Sequence, residues 1–267
     1  MSVELSFEGK VALVTGGSRG IGAATVRLFR EAGARVVFNY RSAKTAADAL
    51  VEELGGAEFC AAVEQELSTP EEGRALVRRC IDAFGRIDAL VVNHGVWPAV
   101  DAPIATMDES QWKRTLAVNL DSVFGLTQAA VAEMQRQGRA VNADGTKGVA
   151  GYIVFISSTA GQRGEARHAD YAVSKGALIS LTKSLSTELA GEGIYVNCVA
   201  PGWVETDMSA PALNDPKTRE WIFSGIPLGR VARPMEVAGP ILFLCTPYAG
   251  FMSGEIVNVN GGAVLAG

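Results

Sequence analysis

Short apolar runs bounded by glycine or polar residues alternate along this chain with longer stretches of helical period. Lys10–Thr15, Ala34–Asn39, Glu58–Val63, Asp88–Val92, Tyr152–Ile156, Ile194–Val199 and Ile256–Val259 read as strands. Helices are expected after Gly22 as far as Ala32, over 43–54, from Thr69 to about Phe84, from Thr106 to about Gln137, over Ala169–Ala190 and from near Pro234. Two of these starts carry a capping box, Thr69-Pro70-Glu71-Glu72 and Thr106-Met107-Asp108-Glu109. Pro240, inside the last helix, predicts a kink or a restart. Residues 138–150 read as an extended polar surface loop, and 207–225 as an irregular helical region. Strands alternating with helices predict an α/β fold, a doubly wound parallel sheet of about seven strands flanked by helices. No repeat, low-complexity tract or linker divides the chain, so residues 1–267 are expected to form a single domain.

The first strand runs directly into Gly16-Gly17-Ser18-Arg19-Gly20-Ile21-Gly22, and a helix follows. Strand, glycine turn and helix together form the context, that of a Rossmann-type fold, in which such glycines bind a dinucleotide. The glycines permit a tight turn and close backbone approach, and the helix N-terminus faces the pyrophosphate. The spacing is GxxxGxG (Gly16, Gly20, Gly22), and a purely structural glycine turn is the alternative. At the end of the second strand, where an acidic residue would bind a ribose 2′-hydroxyl, stand Asn39 and Arg41, with Arg19 in the turn. Two guanidinium groups suit a 2′-phosphate, which favours NADP(H), with NAD(H) the second fit; two surface arginines are the plainer reading.

Ile156 to Leu181 holds the candidate chemistry. Ser157-Ser158 ends a strand, a polar loop follows, and Tyr171 and Lys175 stand four residues apart, one turn apart on a helix face. A fixed ammonium beside a phenol is expected to pull its pKa below the usual value of roughly 10, making it a proton donor near neutral pH. A serine hydroxyl from the strand end would hold the substrate oxygen that receives the proton.

Composition narrows the picture. The formal charge of −5 gives no reason to expect nucleic acid or an anionic membrane as partner. Cys60, Cys80, Cys198 and Cys245 lie far apart without a CxxC pair, and read as buried thiols of a reducing compartment. His94 and His168 are too few for a histidine metal site, and none is expected. The uncharged stretch from Val237 to Gly254 is broken by Gly239, Pro240, Pro247 and Gly250, so it reads as a buried helix and loop, not a membrane span. With no signal segment visible at the N-terminus, a soluble cytoplasmic protein is expected.

Thr15–Gly22 (TGGSRGIG), Asn93-x-Gly95, Asn119, Ser158, Tyr171-x-x-x-Lys175 and Pro201-Gly202 occur in the order and spacing of the short-chain dehydrogenase/reductase family, which the chain resembles over nearly its whole length. Within it, 171–208, 226–238 and 253–262 are most similar to 3-oxoacyl-[acyl-carrier-protein] reductases. The resemblance implies that Tyr171 is the general acid in reduction, that Lys175 depresses its pKa and holds the nicotinamide ribose, that Ser158 orients substrate, and that Asn119 supports a water-linked proton path through Lys175. It also implies cofactor contacts from Gly16, Ser18, Arg19, Gly20, Ile21, Gly22, Asn39, Arg41, Glu66, Leu67, Asn93, Gly95, Pro201, Gly202, Val204 and Thr206. The implied activity is NADPH-dependent reduction of a carbonyl to a secondary alcohol, on a 3-oxoacyl thioester or another small molecule, in a homotetramer. The alternatives are an NAD(P)-dependent dehydrogenase of a sugar, cyclitol or other secondary alcohol, with Glu165, Arg167 and His168 lining a polar pocket, and, more remotely, a non-catalytic NADP-sensing protein. The chain departs from the family in having His94 between Asn93 and Gly95, Glu66 where an aspartate is usual, and the turn Ala190-Gly191-Glu192-Gly193. Glu192 is unhelpful for docking an acidic acyl-carrier protein.

Overall fold

The computed structural model describes residues 5–141, 145 and 147–266. Seven strands, β1 (Val11–Val14), β2 (Arg35–Tyr40), β3 (Cys60–Glu64), β4 (Ala89–Val92), β5 (Gly151–Ile156), β6 (Ile194–Pro201) and β7 (Ile256–Val259), form one sheet in the order β3-β2-β1-β4-β5-β6-β7. Every pairing is parallel. Strand order reverses between β1 and β4, so their C-terminal ends open the crevice where such sheets bind ligands.

The apolar runs are explained by helices on both faces. Along β1, Ala12 and Val14 face one core and Val11 and Leu13 the other; β5 divides likewise into Tyr152, Val154 and Ile156 against Ile153 and Phe155. The first core is closed by α1 (Gly20–Glu31), α2 (Lys44–Glu53) and α10 (Pro234–Leu244), through Val26, Phe29, Leu50 and Ile241. The second is closed by α3 (Pro70–Phe84), α5 (Ser122–Gln137) and α7 (Ala169–Leu189), through Leu76, Leu126, Met134 and Leu178. Two short helices, α8 (Ala210–Asn214) and α9 (Pro216–Ser224), occupy the irregular region after β6; α4 (Glu109–Leu116) precedes α5, and α6 (Thr159–Arg163) follows β5.

Several local expectations need correction. The capping box at Thr69 and Glu72 forms as expected. At the next start the cap is Asp108, whose carboxylate accepts from Ser110 N at 2.7 Å, not Thr106. Both residues suit an N-cap, and the helix begins two residues later than the box predicted. The helix expected to run unbroken to Gln137 contains a π turn at Ala117–Asp121. The polar loop after Ser158 contains α6. Helix α10 does not restart at Pro240; it runs through that residue without its amide donor. The 138–150 loop lies partly outside the described residues. Among those described, Arg139 Nε donates to Gly148 O at 2.7 Å across it.

Helices α3 and α5 approach so closely that a Cβ on Gly125 would lie 1.8 Å from Pro70 O. Gly125→Ala is therefore expected to lower stability by roughly 1–3 kcal/mol through overpacking. Gly239→Ala, where nothing lies within 4 Å of the new Cβ, should raise it by roughly 0.5–1 kcal/mol. Urea denaturation midpoints of the two variants check both signs.

Candidate active site

The site assembles at the C-terminal ends of β1, β4, β5 and β6. At β1, Gly16 and Gly20 have φ of +65° and +54°, conformations open to glycine. A Cβ on Gly22 would lie 2.1 Å from Gly16 O, so the turn closes only on a bare residue. The turn is held from behind by Asn39, whose Oδ1 accepts from Gly16 N at 2.9 Å while its Nδ2 donates to Gln65 O at 2.9 Å. Asn39 was expected among the cofactor contacts. Its side chain is instead buried and spent on this bracing, because two backbone groups at the strand ends need its amide. Asn93 completes the brace, donating from Nδ2 to Thr15 O at 3.0 Å and Gly16 O at 3.2 Å. The N-terminus of α1 has no side-chain cap and no acidic residue in its first turn. Its free amides and positive dipole end therefore suit a phosphate, and the glycine cradle suits a dinucleotide.

Ser18 is half-buried in the turn. The two arginines are exposed, and each has a carboxylate: Arg19 Nη1 lies 3.2 Å from Asp207 Oδ2, and Arg41 Nη1 3.8 Å from Glu66 Oε1. Exposed pairs of this kind are cheaply exchanged for a better anion. Leu67, just beyond Glu66, is buried against the second core. After β6, Gly202 N donates to Val259 O at 3.0 Å, Val204 bridges to Ala232, and Thr206 N donates to Ser209 Oγ at 3.1 Å. This loop leans over the glycine turn: a Cβ on Gly20 would lie 3.1 Å from Thr206 Cγ2.

Ser158, Tyr171, Lys175 and Asn119 are brought together. Ser158 caps α6, accepting from Ala160 N at 3.1 Å, with its hydroxyl close enough to Tyr171 to favour the phenolate. Ser157 points the other way, donating from Oγ to Lys175 O at 2.8 Å. It anchors α7 to the end of β5. Lys175 Nζ donates to Ile156 O at 2.8 Å and lies 5.8 Å from the centroid of the Tyr171 ring. Gly161 permits this crossing, since a Cβ there would lie 2.6 Å from Lys175 C.

The expectation that Lys175 depresses the Tyr171 pKa meets an opposing effect of burial. Burial pushes the phenol up to about 12, opposed chiefly by the Ser158 hydrogen bond. Burial also draws Lys175 down to about 8. For both groups the loss of water on burial is the largest effect.

Asn119 sits in the π turn, where it is clamped to the β4 loop. Its Oδ1 accepts from Val96 N at 2.8 Å, and its Nδ2 donates to Val96 O and to Ser174 Oγ, both at 3.0 Å. Gly95 borders Asn119 and Lys175 together; a Cβ there would lie 3.2 Å from Asn119 Oδ1 and 3.3 Å from Lys175 Nζ. His94 proves structural. Its Nε2 lies 3.0 Å from Val118 O, an acceptor only, which assigns the proton to Nε2 and leaves Nδ1 to accept from Thr15 Oγ1 at 2.8 Å. Burial, and then the Lys175 charge, hold it neutral, with its pKa down to about 3.

A wall over Tyr171 was only partly foreseen. His168 and Glu165 come from the loop before α7, and Trp97 from the loop after β4; Trp97 stacks on His168 with ring centroids 4.8 Å apart. Trp97 was missed, although a large aromatic just beyond the Asn93–Gly95 turn was a signal. Arg167, expected to line the pocket, instead pairs with Asp101 at 2.9 Å. Among the described residues no three His, Cys, Asp or Glu side chains group as metal ligands, and no helix is long and apolar enough to cross a membrane.

Residues 16–264 match the profile of the family described as Enoyl-(Acyl carrier protein) reductase. A 3-oxoacyl-[acyl-carrier-protein] reductase FabG of Vibrio cholerae is 38% identical over 98% of this chain and 100% of its own. The corresponding reductase of Synechocystis is 39% identical over 96% and 97%. This chain belongs to the short-chain dehydrogenase/reductase family. Among solved structures, a short-chain dehydrogenase/reductase, "Glucose/ribitol dehydrogenase", from Brucella melitensis superposes with a TM-score of 0.87 at 34% identity, over 99% of this chain and 100% of that one. A putative 2-deoxy-d-gluconate 3-dehydrogenase from Agrobacterium tumefaciens, with bound NADP, gives 0.86 at 31%, over 98% and 99%. As a member of the family, this protein is an oxidoreductase that uses a nicotinamide cofactor on CH–OH and C=O groups of small molecules.

The depressed Lys175 value has a measurable consequence. Between about pH 8 and 10.5 the unfolded chain binds this proton and the folded chain does not, so this residue's contribution to stability rises with pH across that window. Between pH 8 and 9.5 the wild type should gain roughly 1–2 kcal/mol relative to Lys175→Met. Urea unfolding of both proteins at the two pH values measures the difference, and cancels groups common to them.

Proposed function

We propose that this protein is an NADPH-dependent reductase that converts a carbonyl to a secondary alcohol with Tyr171 as general acid. The observation that carries this reading is the convergence of Ser158, Tyr171, Lys175 and Asn119 beside an uncapped glycine-turn helix. A nicotinamide cofactor held along Gly16–Gly22, Asn93–Gly95 and Pro201–Thr206 supplies the hydride when bound. The protein's own groups handle the proton and the charge. Ser158 and Tyr171 both donate to the substrate oxygen, and a phenol raised to about 12 keeps its proton until negative charge develops there. Lys175, fixed by Ile156 O and Ser157, places a positive charge beside that oxygen. Asn119 borders the bare strip at Gly95 with Lys175, which supports a solvent-linked route for returning the proton to Tyr171.

NADP(H) is favoured over NAD(H) because Arg19 and Arg41, in exchangeable pairs in the turn and at the end of β2, offer two guanidinium groups for a 2′-phosphate. The names of the bacterial relatives support a 3-oxoacyl thioester as substrate. A second reading, oxidoreduction of a sugar, cyclitol or other hydroxylated alcohol, is favoured by the carboxylate of Glu165, held near His168 at the head of the helix that carries Tyr171.

Tyr171→Phe is expected to retain NADPH binding while losing roughly 10²–10⁴-fold in kcat; near-wild-type turnover would remove Tyr171 as the acid. NADPH should be preferred to NADH in kcat/KM, and Arg41→Ala should erode that preference. A preference for NADH that this variant leaves untouched would sink the arginine argument. Fluorescence titration of NADPH and a panel of ketones, aldehydes, sugars and acyl thioesters, followed by cofactor absorbance, supply these measurements.

A further inference from the structure

The loop before α7 is tied to the loop after β4 at every turn. Trp97 Nε1 donates to Glu165 Oε1 at 3.2 Å, and His168 Nε2 pairs with Pro98 O at 2.9 Å. Ala102 N donates to Arg167 O at 2.9 Å, and the Arg167 guanidinium reaches Asp101 at 2.9 Å. Arg167 has a φ of +67°, and is the one non-glycine residue in the left-handed region among those described. That conformation costs roughly 1 kcal/mol or more and persists only where neighbours over-determine it. Four ties do so here. What they hold still is the Glu165 carboxylate, 3.7 Å from His168, the residue just before the first turn of α7 that carries Tyr171.

One carboxylate oxygen faces Trp97 and, at 3.7 Å, His168 Nδ1. The other has no hydrogen-bond partner among the described residues, and the side chain keeps 27% of its surface accessible. Trp97 meets Trp203, from the loop after β6, edge to face with centroids 6.1 Å apart. Indole walls therefore bridge the loop after β4 and the loop after β6, and a fixed acceptor stands against His168, which precedes the first turn of α7 that carries Tyr171.

We propose that Glu165 is the substrate-selecting group of this enzyme, accepting a hydrogen bond from a hydroxyl next to the reacting carbon while Trp97 and Trp203 cover the carbon skeleton. The substrate is thereby a compact hydroxylated ketone or its polyol. A 3-oxoacyl thioester presents only carbonyl oxygens and sulfur around its ketone, so it brings no donor to this carboxylate. An unmatched acceptor is where a built polar site discriminates most. The inference rests on the carbonyl-reductase reading above and, between the two substrate classes named there, selects the hydroxylated one over the thioester.

The test compares 3-hydroxybutan-2-one with butan-2-one, which differ by the one hydroxyl, and a 3-oxobutanoyl thioester of N-acetylcysteamine, each with NADPH. Wild-type enzyme should favour the hydroxyketone over butan-2-one in kcat/KM by roughly tenfold to a hundredfold, the scale of a hydrogen bond to a charged group. Glu165→Gln can keep its oxygen on Trp97 Nε1, which turns an amide donor toward the substrate. That variant should bring the ratio near one and improve the thioester relative to the hydroxyketone. A wild-type ratio near one, or an equal loss on both ketones in Glu165→Gln, overturns the proposal while leaving the reductase intact. Absence of turnover on every carbonyl would instead defeat the underlying reading. In that event calorimetry of butane-2,3-diol with the NADP-loaded protein still decides the selectivity: binding weakened at least tenfold by Glu165→Gln supports it, and unchanged or undetectable binding overturns it.

Discussion

An ammonium group in a dry interior is the constraint on which the rest of this site depends. Removing Lys175 from water costs several kcal/mol unless its hydrogens find fixed acceptors. The fold meets that demand at one place, where β5 ends and α7 crosses it. Ile156 O receives Nζ, Ser157 grips the lysine's own carbonyl, and Gly161 lets α6, which follows β5, pack close against α7. Once Lys175 is so placed, Tyr171 lies one turn earlier on α7, and Ser158 follows Ser157 into the cap of α6. The positions of three polar groups thus descend from the burial of one.

The parallel sheet supplies the remaining alignment. Because β1, β4, β5 and β6 all run the same way, their ends lie on one edge, and the turn at Gly16, the Asn93–Gly95 segment, the two serines and the Pro201–Thr206 loop face one crevice. Polar residues at these ends brace one another. Asn39 and Asn93 hold the glycine turn from its two sides, and His94 joins Thr15 to the π turn that carries Asn119. A neutral imidazole fits that junction because one nitrogen meets an acceptor and the other a hydroxyl.

Strand and helix identity was legible in the sequence because buried parallel strands and capped helices leave plain local signals. The glycine turn and the Tyr171–Lys175 spacing were legible for the same reason, since their geometry is set within a few residues. The pKa of Tyr171 was not. Its sign depends on how much water the assembled fold excludes, and a one-turn spacing does not record that. The bracing role of Asn39 was not legible either, because an amide at a strand end suits a ribose and two backbone groups equally well. The wall of Trp97, Glu165, His168 and Trp203 gathers residues from three separate loops, and no periodicity links them. The π turn was hidden too, since one extra residue in a long amphipathic stretch barely disturbs its apolar pattern.

That π turn sets a rule of phase. Each residue in an α-helix advances the side chains by about 100°, so the wider turn at Ala117–Asp121 resets the angle between α4 on one side of it and α5 on the other. On the α4 side, Gln111 and Thr115 reach Asp170 at the head of α7; on the α5 side, Leu126, Ala130 and Met134 pack toward the sheet. Removing a single residue from this segment would leave charge and composition almost untouched. It would also swing one half of the helix away from its partner, whichever half stayed in place. In these five residues, length is the property that keeps two interfaces in register.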